Sequence, residues 1–569
     1  MSVMAYMPYG AGGIIIRVEA DIRRGIPGVD ITGLAEGAVR EARERVRAAF
    51  RNSGYSFPLD RILINLAPAG LRKDGAALDL PIALSVMAAA GIAPVSGNLL
   101  VMGELELSGM IRPARGVLAA IAAGLSEGIT EFIVPAENAR EAAILASCES
   151  LTSRGSLTFK ECLTERFAGE RARFTAVENL KEAVNALFIR EERGELPGTD
   201  KFDKNAESEL SAPGHDYLAA GDFSEVRGQA VYKRALELAA AGGHNVLVFG
   251  PPGAGKTMLA RMLPSIMAPL TPAEAVEVTR LYSLAGPVSG DSGPRQFIDR
   301  LISRPPFRAP HHSASAEGIL GGGRNPRPGE ISLAHFGALF LDEAPEFRVN
   351  VLQALREPLE ERVISISRAE GPVRLPAEFQ LLMTANSCPC GRLGIRGTDK
   401  ACFCSPEEIN RYWRKFGGAL LDRVEIRVAA LPPEIDAIGG NSRVGEKSAA
   451  KSAAIAERVN AAVEIQRRRF KGAGLSVPEL PFPGIRRNAR IPAGKTASLC
   501  PMTEKAENAF HTAISKLGFS GRAYHGIIRV ARTIADLEGR EVIETEHVLE
   551  AVHHRRLGDD PWEILEIDA

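Results

Sequence analysis

Residues 246–257 read VLVFGPPGAGKT: a short β-branched run, then the pattern G-x-x-x-x-G-K-T, then the helical stretch MLARMLPSI. Gly250, Gly253 and Gly255 let the backbone turn its N–H groups inward around an anion, and the helix that follows adds its positive dipole end. The stretch Gly250, Pro251, Pro252, Gly253, Ala254, Gly255, Lys256, Thr257, Met258 is therefore expected to cradle the phosphates of ATP. Lys256 reaches the β- and γ-phosphates, and Thr257 holds Mg²⁺.

A glycine turn between a strand and a helix also arises by chance, so the assignment needs partners. Residues 338–343, ALFLDE, are an apolar strand ending in two carboxylates. In a phosphate-loop enzyme one acid completes the metal shell and the other polarises the attacking water, which suits Asp342 and Glu343 respectively. FQLLMTAN at 379–386 is a second buried-strand pattern ending on Asn386, placed to hydrogen-bond the water or the γ-phosphate. GALLDRVEI at 418–426 sets Arg423 at a short helix end before a strand. There it can stabilise charge on a neighbouring subunit's γ-phosphate. The alternative is a structural arginine paired with Asp422 or Glu425 in its own chain.

The 569-residue chain exceeds what one hydrophobic core serves, and its net charge of −1 gives no whole-chain bias toward nucleic acid or membrane. Residues 1–190 alternate β-rich runs with helical patterns, an α/β unit. A polar, glycine- and proline-broken linker is expected over 191–216, an α/β ATPase core over 217–437 and a helical domain over 438–569. The apolar run at 80–95 is shorter than the ~20 residues a membrane-spanning helix requires and is expected to be a buried helix. Single cysteines at Cys148, Cys162 and Cys500, with no secretory signal at the N-terminus, point to a reducing cytoplasm.

Within the core, residues 387–405 hold Cys388, Cys390, Cys402 and Cys404 as C-x-C-x₁₁-C-x-C. Four thiolates in a glycine-containing loop suit tetrahedral Zn²⁺, although the spacing differs from the usual C-x₂-C pairs and a reduced, metal-free loop is the alternative. The expected role is a structural clip projecting from the core. His311 and His312 have no carboxylate or cysteine partner nearby in sequence, which argues against a metal site there.

The ordered set of phosphate loop, DE, Asn386, LLDR and GFSGRAYHGIIRVARTIADLEG (518–539) resembles the magnesium-chelatase-like AAA+ ATPases of the ComM/YifB family. FRAPHHSAS (307–315), LREPLEE (355–361) and RNARIPAGK (487–495) strengthen that resemblance. It implies that Arg522 is a second sensor arginine on a C-terminal helical lid. It also implies a Lon-protease-like (ribosomal S5 domain 2-like) fold for residues 1–190. The Lon nucleophile position reads Ala77, or Ala76 if the alignment slips, and the lysine position reads Leu118, so no acyl-enzyme can form. Lys73 and Ser85 are the nearest replacements in sequence. The resemblance further implies a homo-hexameric motor driving branch migration of DNA in recombination or natural transformation, away from any membrane. The alternative is a chelatase-type or protein-remodelling ATPase. QRRRFK (466–471) and IRRNARIPAGK (485–495) are basic enough to meet a phosphate backbone.

Overall fold

The computed structural model describes residues 2–556 apart from 36, 74, 96–97, 148–171, 198–220, 287–297, 299, 369–370, 394–401, 432–449 and 474–486. Cys148, Cys162, most of the expected linker and the middle of the cysteine loop thus lie outside the described residues.

The N-terminal part is built on β1 (Ser2–Met7), β2 (Ile14–Arg23), β3 (Gly28–Thr32), β4 (Arg61–Ala67), β5 (Leu99–Val101), β6 (Glu131–Pro135) and β7 (Arg173–Val177). Their spatial order is β3-β4-β2-β1-β5-β6-β7, with β2 antiparallel to both its neighbours and the other pairs parallel. In β4, RILINLA, strict alternation buries Ile62, Ile64 and Leu66 and leaves Arg61 and Leu63 outside. The run at 80–95 contributes the helix Asp79–Ala89, apolar on every side and accordingly buried. No described helix is long and apolar enough to cross a membrane.

The chain leaves this part later than its polarity suggests. The helix Leu180–Arg193 ends on left-handed Gly194, and Leu196 is buried with its N–H donating to Glu131 at 2.8 Å. One buried leucine and one carboxylate acceptor hold residues 191–197 against the sheet, despite their linker-like composition.

The central sheet is five-stranded and parallel: β8 (Val246–Phe249), β9 (Phe307–Arg308), β10 (Ala338–Leu341), β11 (Gln380–Ala385) and β12 (Ile426–Ala429), ordered β9-β10-β11-β8-β12. Its runs VLVF, ALFL and QLLMTA are buried throughout, as strands covered on both faces must be. Parallel order also sends every carboxyl end to one edge, where α/β sheets bind ligands.

The C-terminal helices Ser452–Gly472, Glu504–Leu517, Gly521–Leu537 and Thr545–Arg556 do not form a core of their own. Val459, Phe510, Ile527 and Ile534 share one apolar cluster with Tyr232, Leu236 and Val248 of the sheet region. The basic runs read as DNA contacts are partly drawn into this packing, with Arg468, Lys471 and Lys495 left exposed. Gln466 and Phe470 are buried, and Arg469 donates to Asp536 and to Asn488. Arg490 donates to the carbonyls of Leu359 and Phe379, both at 2.9 Å. Carbonyl and carboxylate acceptors drew these cations inward, which composition alone does not reveal.

The N-terminal part docks on the core through the helix Pro272–Ala285, where Gly116 N–H donates to Ser283 O at 3.0 Å and Ser283 Oγ donates to Glu141.

Candidate nucleotide site

β8 runs into the phosphate loop, which passes so close to Ala430 that a Cβ on Gly250 would stand 2.1 Å from its carbonyl oxygen. Gly253 and Gly255 both adopt φ near +80° (80° and 79°), where side chains are strained. The helix Lys256–Met262 follows directly. Lys256 Nζ donates to Gly250 O at 2.7 Å, Pro251 O at 2.8 Å and Asn386 Oδ1 at 3.1 Å. Burial brings the Lys256 pKa down to about 8, against the opposing pull of Asp342 and Glu343.

Asp342 and Glu343 leave the end of β10 on the same edge of the sheet. Thr257 Oγ1 donates to Asp342 Oδ1 at 3.0 Å, so the two residues expected to share Mg²⁺ already touch. Asp342 also accepts from Thr384 Oγ1 at 2.6 Å, and that hydroxyl accepts the Glu343 N–H at 2.9 Å. Glu343 takes the left-handed conformation (φ 50°), uncommon for a residue other than glycine. Thr384 therefore organises both acids. It is legible as a polar residue inside a buried strand, two positions before Asn386 and on the same face. Two further residues were missed. Tyr232 OH donates to Lys256 O at 2.9 Å, its phenol pushed far up by burial. Gln229 Nε2 donates to Ala254 O at 3.0 Å and Leu431 O at 2.5 Å.

Arg423 and Arg522 lie elsewhere. The carbonyl of Arg423 accepts from the side chain of Asn245 at 2.8 Å, and Asn245 immediately precedes β8. Arg423 thus sits at the amino edge of the sheet, one strand length of roughly 13 Å from the carboxyl edge that carries the phosphate loop. Its guanidinium donates to Ala419 O at 2.6 Å and to Glu360, and Arg522 donates to the other oxygen of Glu360 at 2.7 Å. The in-chain partner of Arg423 is therefore Glu360, neither Asp422 nor Glu425. Asp422 accepts from Ser520 Oγ at 2.7 Å, and Glu425 accepts the Asn245 N–H at 2.9 Å.

In the N-terminal part Ala76 and Ala77 begin a short 3₁₀ turn and Leu118 is buried in a helix. Ser85 Oγ donates to Val18 O at 3.3 Å, whereas Lys73 Nζ donates to Pro68 O. Each polar group is committed to a different carbonyl, so they do not form a dyad.

The sulfurs of Cys388, Cys390, Cys402 and Cys404 all lie within 4.8 Å of one another, with Cys388 to Cys390 at 3.4 Å and both to Cys402 at 3.6 Å. A tetrahedron of Zn–S bonds at ~2.3 Å has edges of roughly 3.8 Å, so the donor set fits that ion. Burial raises the Cys388 thiol, while Cys390 is held down to about 6, where hydrogen bonds to its thiolate outweigh burial. His311 and His312 are exposed with rings 4.1 Å apart, and among the described residues no metal-type cluster includes them.

Family models for magnesium chelatase subunit ChlI match residues 222–437 and 18–138, and one for its C-terminal part matches 449–555. The competence protein ComM of Haemophilus influenzae is 37% identical over 552 residues, covering 96% of both chains. The chain belongs to the ComM/YifB family of magnesium-chelatase-like AAA+ proteins. YifB of Escherichia coli is 35% identical over 546 residues, covering 95% of this chain and 94% of its own. A Lon protease of Salinispora arenicola is 29% identical over 136 residues in the N-terminal region, covering 23% of this chain and 18% of the protease. The family-level expectation stands.

Proposed function

We propose that this chain is an ATP-hydrolysing ring motor, a homo-hexamer in the cytoplasm, that moves DNA strands in branch migration, as a competence protein among its relatives suggests. The observation that carries the reading is the division of the site between two edges of one sheet. Lys256, Thr257, Asp342, Glu343 and Asn386 converge at the carboxyl edge, while Arg423 and Arg522 are gathered by Glu360 at the amino edge. A phosphate on the loop is out of reach of its own chain's Arg423 and is served by the arginines of the next subunit.

Mg²⁺ held by Thr257 and Asp342 would neutralise phosphate charge during transfer. In this reading Lys256 turns from the loop carbonyls onto the phosphates. Glu343 orients the attacking water and accepts its proton, and Asn386 fixes that water from the other side. The C-terminal helices act as the lid that carries Arg522, and the N-terminal sheet is a Lon-type scaffold without chemistry. The cysteine quartet holds Zn²⁺.

DNA contact is best placed on two neighbouring hairpins. Gly321–Gly322 pairs with Arg327–Pro328, and Val363–Ile366 with Val373–Pro376. Arg324, Arg327, Arg368 and Arg374 are exposed on them, and Arg368 donates to Gly323 O at 2.6 Å, tying one hairpin to the other. Paired basic hairpins suit a sequence-independent phosphate track.

The test is subunit mixing. Arg423→Ala and Lys256→Ala proteins should each be nearly inactive, and a mixture should regain ATPase because some interfaces pair an intact loop with an intact arginine. A mixture showing only the summed residual rates refutes the shared site.

A further inference from the structure

We infer that the cysteine quartet positions the hydrolytic machinery, so that bound zinc sets the rate of ATP hydrolysis in addition to stabilising the loop. This rests on the ATPase and zinc readings above. The expected clip was one that projects away from the core; the structure instead packs it against the nucleotide site from two directions.

The first direction is along the chain. β11 ends at Ala385, Asn386 follows, and Cys388 is the second residue after that. Cys388 is fully buried in the same apolar cluster as Phe249, Ala385, Tyr412 and Trp413, and so anchors the exit of the sensor strand. At the other end of the loop, Cys404 directly precedes Ser405, which caps the helix Pro406–Arg414 with a reciprocal Ser405–Glu408 capping box. That helix returns to the exit of the strand. Tyr412 OH accepts the Asn386 N–H at 3.3 Å, and Trp413 Nε1 donates to Ser387 O at 3.0 Å. Trp413 also meets Phe249, the last residue of β8, edge-on at 5.4 Å.

The second direction is across space. The turn closed by Gly391 N–H on Cys388 O lies on the phosphate loop itself, where a Cβ on Gly391 would stand 2.9 Å from Pro252 Cδ. Gly391 adopts φ +73°, so both its backbone and its neighbour demand glycine.

One ion bound by all four sulfurs would thus tie the sensor strand's exit, the entry of the helix that buttresses it, and the turn lying on Pro252. Without metal, Cys390, Cys402 and Cys404 are no longer tied to the buried Cys388. Asn386 then loses the constraint that fixes its side chain beside Lys256. Misplacing a water-orienting group by about 1 Å costs on the order of 100-fold in rate, and loss of supporting shells around metal sites costs 10–100-fold. Phosphate binding, built from the loop backbone and Lys256, should suffer far less.

The experiment uses full-length protein carrying Trp562→Phe, so that Trp413 alone reports emission. Metal content is measured, zinc is stripped with a thiol-directed mercurial and EDTA, and zinc is then restored. Expected are one zinc per chain, a fall of about 10-fold or more in kcat on stripping, a change below about 3-fold in fluorescent-ATP affinity, and a shift in Trp413 emission, all reversed by zinc. If stripping unfolds the chain, Gly391→Ala decides. It should keep its zinc yet lose kcat by a similar factor. A folded zinc-free protein with unchanged kcat, or a Gly391→Ala protein at full rate, overturns the coupling. A native protein without metal, or one without ATPase, overturns it at the premise and shows which premise failed.

Discussion

Replacing Thr384 by Val removes one hydroxyl that does two jobs. It donates to Asp342 at 2.6 Å and accepts the Glu343 N–H at 2.9 Å, inside a strand that is fully buried. A hydrogen bond to a charged group contributes about 1.5–3 kcal/mol, and a buried N–H left without an acceptor costs about 1–3 kcal/mol. Part of this is lost from overall stability. The remainder is lost from the placement of Glu343, whose left-handed backbone has no other described side-chain support. If about 2 kcal/mol is felt in the transition state, kcat falls roughly 30-fold, since ~1.4 kcal/mol is a factor of ten. ATP affinity measured without Mg²⁺ should change little, because the loop and Lys256 are untouched. Steady-state ATPase, fluorescent-nucleotide titration and thermal melting separate these effects, and Thr384→Ser should restore the rate. A Thr384→Val enzyme within 2-fold of wild-type kcat and unchanged in melting would refute the argument.

Lys256→Ala should abolish ATP binding, whereas Glu343→Gln should bind ATP and hold it, because an amide keeps the shape but cannot take a proton; nucleotide retention on gel filtration distinguishes the two. Burial lowers the Lys256 pKa to about 8 in the nucleotide-free protein, and phosphates favour its charged form. ATP affinity should therefore be flat below pH 8 and weaken by up to tenfold per unit above it, which fluorescent-nucleotide titration across pH 7–10 checks. Glu360→Ala releases Arg423 and Arg522 together, since both guanidinia meet on that carboxylate. ATPase should fall in the assembled protein while ATP binding by each subunit persists.

The phosphate loop, the DE pair and Asn386 were legible because each is a short apolar strand followed at once by its polar residues. A parallel sheet turns that local pattern into a shared edge without further information. Arg423 was legible in kind but not in contact: its partner Glu360 lies 63 residues earlier in the chain, on another helix, and no local spacing links them. The same limit explains the basic runs. QRRRFK reads as a charged surface, yet it turns Gln466, Arg469 and Phe470 inward because the facing helix offers Asp536. The cysteine spacing announced four ligands but not their neighbour, since the approach of Gly391 to Pro252 spans 139 positions of sequence. Thr384 is visible as a polar residue of a buried strand, but its partners Asp342 and Glu343 lie at the end of a neighbouring strand, and no local spacing names them.

The most direct measurement of the central claim is ATP hydrolysis followed alongside strand exchange on a synthetic four-way junction, with single-stranded and duplex DNA as controls. The account predicts that DNA raises the ATPase rate, and that the junction is resolved only with hydrolysable ATP. It further predicts that Arg324→Ala with Arg368→Ala removes both responses while leaving DNA-free hydrolysis in place. ATP hydrolysis indifferent to every DNA, with the junction left intact, would contradict it and leave a remodeller of proteins in its place.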